Sequence, residues 1–126
     1  MPQQAARAFI IAGSSDLFIV SRLKELANLL GYEIVFSVSS QELSDQTSSH
    51  PGCLVILDLA STDYDSSSLA IALKQNKPPP MILGYYPHVR KDVETSAKSA
   101  GVDYVVPNSN FLKFAREILE GRPGRL

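Results

Sequence analysis

The feature that most constrains the fold is an alternation between short apolar runs and segments that can form helices. The apolar runs lie at residues 8–12, 33–38, 53–57, 81–86 and 104–106. Each run has the length of a strand, and the segment after each has room for a helix. Five strand–helix units predict an α/β protein, (βα)5, in which a parallel five-stranded sheet lies between two layers of helices. The predicted architecture is therefore a doubly wound three-layer sandwich.

The helix signal is strongest after the first apolar run and weakest after the second. Four apolar residues at offsets of 0, 4, 7 and 11 form one helical stripe before Gly31, namely Ile19, Leu23, Leu26 and Leu30. Residues 41–47 contain only one apolar side chain, that of Leu43. Residues 61–68 are predicted to be a polar loop. Two further helices are predicted at residues 69–74 and 90–100. The last predicted helix ends at Gly121 and holds five apolar residues, namely Phe111, Phe114, Ala115, Ile118 and Leu119.

The composition favours one domain with no bias toward a charged partner. A length of 126 residues and a hydrophobic content of 44% suit a single domain over residues 1–126, with flexible tails at 1–6 and 122–126. A net charge of −1 gives no general attraction to nucleic acid or to anionic membranes. Cys53 is the only cysteine, so it forms no internal disulfide. Because no run approaches the roughly 18 apolar residues of a membrane span, we expect a cytoplasmic protein.

Polar residues follow several predicted strands at their carboxyl ends, where ligands of parallel α/β sheets collect. They lie at residues 13–16, at residue 58 and in the loop that follows it, and at residues 85–88 and 107–109. Asp58 is the most informative, because an ionisable group directly follows five apolar residues. Burying a carboxylate is costly unless a cation or hydrogen-bond donors meet it. Asp58 is therefore either a nucleophile or metal ligand in a crevice, or a turn residue that bonds nearby backbone N–H groups.

Two of the other strand ends also allow a functional and a structural interpretation. Residues 13–15, Gly-Ser-Ser, precede a helix whose backbone N–H groups favour a phosphate or nucleotide, but they lack the spacing of a P-loop. The alternative is that Ser15 or Asp16 caps that helix. Residues 85–88, Tyr-Tyr-Pro-His, suit the wall of a small-molecule or peptide pocket. The alternative is that one tyrosine packs inward, the other is half-exposed, and His88 lies on the surface.

Residues 55–59, Val-Ile-Leu-Asp-Leu, resemble the phosphoacceptor strand of the response-regulator receiver domains of two-component signalling. Residues 30–34 resemble the family's link from the first helix to the second strand, and residues 99–104 its approach to the fifth strand. The resemblance covers residues 8–120 and implies a flavodoxin-like fold. It places Asp58 at the phosphoacceptor position.

The acidic pair that receivers carry after the first strand is missing. Counting back from Gly31 puts Ser14 and Ser15 in those two slots, with Asp16 nearby. The family uses this pair to hold Mg²⁺, which prefers oxygen ligands and usually includes one or two carboxylates. Asp58 and Asp16 alone predict a weak Mg²⁺ site or none, and no other cofactor is expected.

Two further positions of the family's site also carry neutral residues here. The switch Thr or Ser after the fourth strand is replaced by Tyr85 or Tyr86, depending on a shift of one residue. The lysine after the fifth strand falls on Asn108 or Pro107, according to which neighbouring motif is aligned. Phosphoryl transfer to a carboxylate requires positive charge around the transferred group. The resemblance therefore implies a degenerate receiver that is phosphorylated little or not at all.

These departures favour a stand-alone signalling module, not an enzyme, that acts by protein–protein interaction. The resemblance implies a protein partner, either a histidine kinase or another signalling protein, or a homodimer formed through the fourth helix, fifth strand and fifth helix. One alternative is a genuine single-domain response regulator phosphorylated on Asp58. The other is a small flavodoxin-like ligand-binding protein or enzyme that uses Asp58, His88 and the two tyrosines.

Overall fold

A computed structural model of the chain describes residues 9–87 and 90–121, and strands and helices alternate throughout them. The strands are β1 (Phe9–Gly13), β2 (Glu33–Phe36), β3 (Leu54–Asp58), β4 (Met81–Tyr86) and β5 (Tyr104–Pro107). The helices are α1 (Leu17–Leu30), α2 (Ser40–Ser49), α3 (Ser66–Leu73), α4 (Lys91–Ser99) and α5 (Asn108–Leu119).

The strands form one parallel sheet in the order β2-β1-β3-β4-β5, which confirms the predicted five-stranded parallel sheet. Strand β3 lies at the centre, and its residues from Leu54 to Leu57 are buried. A strand that is covered on both faces needs apolar residues at every position, which accounts for its continuous apolar run.

Alternate strand residues enter two separate cores. Ile10 and Ile56 pack with α1 and α5 on one face of the sheet. Ile11 and Val55 pack with α2, α3 and α4 on the other face. The three-layer prediction is therefore confirmed, and side chains of neighbouring residues at a strand end point to opposite layers.

One predicted helix boundary is wrong, and local capping explains it. Helix α3 begins at Ser66, inside the segment predicted to be loop, because the side chain of Asp65 accepts the Ser68 N–H at 3.3 Å. Helix α5 begins at Asn108, directly after the strand that ends at Pro107, and it contains the five apolar residues predicted to lie in the last helix.

The parallel arrangement brings the carboxyl ends of all strands to one edge of the sheet. At this edge Gly13, Asp58 and Tyr86 end neighbouring strands. At the opposite edge, the Lys74 ammonium is 2.5 Å from the Asp103 carboxylate, which also accepts the Ile82 N–H at 2.8 Å. None of the helices in the described part of the chain is long and apolar enough to cross a bilayer.

Candidate functional site

Asp58 ends the central strand, and its backbone and side chain are both hydrogen-bonded. In the register of β3 and β4 it pairs with Tyr85. Its Oδ1 accepts the Ala60 N–H at 3.0 Å, and its carbonyl accepts the Ser61 N–H at 3.1 Å. Its own N–H donates to the Tyr64 hydroxyl at 2.9 Å. The half-buried Asp58 side chain therefore does stabilise the turn that follows β3, as its structural interpretation requires.

The surroundings of Asp58 disfavour its charged form. Burial raises the pKa of Asp58 above its usual value, and the nearby carboxylates of Asp16 and Asp63 raise it further. The Ala60 N–H acts in the opposite direction and lowers this pKa. None of the ion pairs among residues 9–87 and 90–121 includes Asp58. The crevice thus presents a carboxylate without a cationic partner in the described structure.

The two residues in the slots of the acidic pair have different environments. Ser14 is buried, and its hydroxyl lies 2.6 Å from the hydroxyl of Tyr85. Ser15 is exposed. Neither side chain carries a charge, and the Ser14 hydroxyl also accepts the Asp16 N–H at 3.2 Å.

Asp16 is the N-cap of α1. Its Oδ1 accepts the N–H groups of Phe18 at 2.9 Å and Ile19 at 3.2 Å. Of the two capping residues that the sequence allowed, Asp16 is therefore the one that caps. No group of three His, Cys, Asp or Glu side chains within residues 9–87 and 90–121 is placed to hold a metal ion.

Tyr85 and Tyr86 are both buried and point to opposite layers, so the expectation that one tyrosine is half-exposed is wrong. Tyr85 is buried and packs against Phe111 of α5, with ring centroids 4.5 Å apart. Burial is the main reason that the pKa of its phenol is raised, so the phenol stays neutral near pH 7. Tyr86 lies in the other core, where burial and Glu94 raise its pKa. His88 lies outside the described residues, so the ligand pocket near the tyrosines and His88 stays a prediction.

The two candidates for the lysine slot lie at the junction of β5 and α5. Pro107 pairs in register with Tyr86 and precedes the helix without making a side-chain cap. Asn108 is the first residue of α5 and is exposed. Neither side chain supplies a positive charge to the crevice.

Tyr64 is a site residue that the sequence analysis missed. It lies in the segment predicted to be a polar loop, yet it is buried. Its hydroxyl donates to the Gly13 carbonyl and accepts the Asp58 N–H. The available signal was one aromatic residue in a stretch of Ser and Asp, together with a glycine at the end of the first apolar run.

Solved structures with the same arrangement are receiver domains. A response-regulator signal receiver domain from Bermanella marisrubri aligns with a TM-score of 0.78 at 16% identity, over 92% of this chain and 98% of that one. A CheY-like receiver domain protein from Methanospirillum hungatei JF-1 aligns with a TM-score of 0.72 at 16% identity, over 95% and 99%. The beryllofluoride-activated NtrC4 receiver domain dimer aligns with a TM-score of 0.73 at 15% identity, over 89% and 95%.

The chain has the receiver-domain fold. No protein-family model matches its sequence, and no curated protein matches it. In this receiver fold, the crevice at the carboxyl ends of β1, β3 and β4 contains the Asp58 carboxylate and the hydroxyls of Ser14, Tyr64 and Tyr85.

Proposed function

We propose that this protein is a degenerate receiver, a signalling module that acts by protein–protein interaction with little or no phosphorylation of Asp58. The observation that carries the proposal is the environment of Asp58: its charged neighbours are the carboxylates of Asp16 and Asp63, both of which raise its pKa. A phosphoacceptor site also needs positive charge placed to neutralise the incoming phosphoryl group, and no ion pair within residues 9–87 and 90–121 brings a cation to Asp58.

The donor groups around Asp58 do not fit Mg²⁺, which requires octahedral oxygen ligands with one or two carboxylates. The Ser14 hydroxyl is bonded to that of Tyr85, and Asp16 uses Oδ1 to cap α1. Each preorganised charge-stabilising group is worth about 3–4 kcal/mol of a reaction barrier. The lack of an acidic pair and of a lysine therefore supports the proposal that phosphoryl transfer to Asp58 is slower by several orders of magnitude.

The partner class that we propose is another signalling protein, such as a histidine kinase or a regulator. The NtrC4 receiver domain that this chain resembles in fold is a dimer. Self-association of this protein is therefore the alternative form of the same proposal, and it is tested by measuring the mass of the protein in solution.

One observation favours the alternative of a genuine phosphorylated receiver. Asp58 is only half buried, and within the described residues its hydrogen bond from Ala60 engages Oδ1, whereas no such bond is made to Oδ2. A carboxylate oxygen at the mouth of a central strand is available to a phosphodonor.

The experiment that separates the two is incubation of the protein with acetyl phosphate and Mg²⁺, followed by intact-mass analysis at neutral and acidic pH. We expect no acid-labile adduct, because charge neutralisation at Asp58 is missing. The matched control is Asp58→Asn, which should likewise show no adduct. A stoichiometric acid-labile adduct that Asp58→Asn abolishes would overturn the proposal.

A further inference from the structure

We infer that Tyr64 locks the loop between β3 and α3 onto the ends of β1 and β3, and that this lock holds the Asp58 crevice in a single conformation. The inference rests on the proposed function and deepens it. A module that keeps one conformation presents its docking surface permanently and needs no phosphorylation to do so.

The first support is the position of the Tyr64 hydroxyl between two strands. It donates to the Gly13 carbonyl of β1 and accepts the Asp58 N–H of β3 at 2.9 Å. The register of the two strands pairs Gly13 with Leu57. The Gly13 carbonyl and the Asp58 N–H therefore face each other where the pairing of β1 with β3 ends. A side chain from the loop thus joins the backbone pairing of the sheet.

The second support is that two glycines leave room for two loop side chains. A Cβ atom at Gly13 would lie 2.9 Å from the Tyr64 hydroxyl oxygen. A Cβ atom at Gly84 would lie 2.7 Å from the side chain of Leu59, the first residue of the loop. Both side chains are buried, Tyr64 at 8% and Leu59 at 6% exposure. The loop therefore packs tightly onto the sheet at two points.

The third support is that the backbone of the loop is hydrogen-bonded to strand residues. The Leu59 N–H donates to the Tyr85 carbonyl at 2.9 Å. The N–H groups of Ala60 and Ser61 donate to Asp58, at 3.0 Å and 3.1 Å respectively. These three amides do not bond to Tyr64, so their exchange with solvent reports opening of the whole loop and not the loss of one contact.

The test is amide hydrogen exchange, followed by NMR, in Tyr64→Phe, which keeps the ring and removes the hydroxyl. We expect exchange at Leu59, Ala60 and Ser61 to become about tenfold faster, because two hydrogen bonds of the lock are lost. The matched control is Tyr32→Phe, which removes a hydroxyl that donates to the Leu119 carbonyl at 2.9 Å. Exchange of the loop amides in this control should stay at the wild-type rate.

Gly13→Ala provides a second variant, since its Cβ displaces the hydroxyl while Tyr64 is retained. Loop amides that exchange within twofold of the wild-type rate in a folded Tyr64→Phe protein would overturn the lock. An increase spread evenly over the sheet would also overturn it, because that pattern shows general destabilisation. The exchange experiment contains no phosphodonor, so it tests the lock alone. The acetyl phosphate experiment tests the proposed function, and a failure of one is therefore distinguishable from a failure of the other.

Discussion

At the scale of single residues, the carboxylate of Asp58 is stabilised by one backbone N–H and opposed by burial and by two other carboxylates. The net result is a raised pKa. The folded protein therefore retains a proton on Asp58 at a pH where the unfolded chain has lost it. Above this raised pKa, the charged side chain lowers the free energy of unfolding. This destabilising penalty decreases as the pH falls through the raised pKa and toward the ordinary pKa of aspartate.

Asp58→Asn should remove this penalty. We expect the variant to be more stable than the wild type at pH 7, and the difference to shrink toward zero below about pH 3, where Asp58 is largely protonated in both states. The asparagine carbonyl oxygen can still accept the Ala60 N–H, so the turn is preserved. Urea unfolding of both proteins across this pH range measures the effect. A wild type that is the more stable protein at pH 7 would contradict the prediction.

The residues around Asp58 were only partly predictable. The sequence analysis placed Ser14, Asp58 and Tyr85 at strand ends, because apolar runs locate the ends of strands. It could not predict the hydrogen bond between Ser14 and Tyr85, which are 71 positions apart. It missed Tyr64 because burial of a loop residue depends on the space left by Gly13, 51 positions earlier. Such contacts require the three-dimensional register and have no local pattern.

At the scale of elements, the start of α1 depends on a single side chain. Asp16 bonds two N–H groups that the first turn of a helix leaves without intrahelical partners. We expect Asp16→Ala to lower the free energy of unfolding by about 1 kcal/mol, and Asp16→Asn to lose little, since asparagine also caps helices. Thermal or urea unfolding measures both. The loss should be the same with and without Mg²⁺; a loss seen only with Mg²⁺ would identify Asp16 as a metal ligand instead.

The helices and strands were predicted from the periodicity of apolar residues. The error lies at the start of α3, where helix capping outweighs composition. The stripe of apolar residues predicted α1, and its predicted end at Gly31 is confirmed by the left-handed backbone there, at φ 81°. The serines at residues 66–68 suggested a loop because serine competes with helical hydrogen bonding. Asp65 caps that segment, and burial of Leu69, Ala70 and Leu73 stabilises it as α3. Tertiary packing of this kind is not visible in a local window of sequence.

At the scale of the whole molecule, the parallel sheet brings residues 14, 15 and 58 to one edge regardless of their identity. The fold thus supplies the geometry of a receiver, and the residues at that edge decide whether it binds a cation. In this chain the two positions at which receivers carry an acidic pair, Ser14 and Ser15, contribute hydroxyls only. Under the proposed function, the absence of charge at these positions, and not the backbone, limits Mg²⁺ binding.

This reasoning predicts that carboxylates added at those positions create a Mg²⁺ site. We expect the variant with Ser14→Asp and Ser15→Asp to bind Mg²⁺ at least about tenfold more tightly than the wild type, because carboxylates are its preferred protein ligands. Chemical shifts of the Asp58 amide during a Mg²⁺ titration measure the affinity, and adding Asp58→Asn to the variant should abolish the gain. Because a ligand that binds the folded state stabilises it, Mg²⁺ should also raise the variant's resistance to urea. Equal affinity in the wild type and the variant would mean that hydroxyls suffice, and the argument from missing charge would fail.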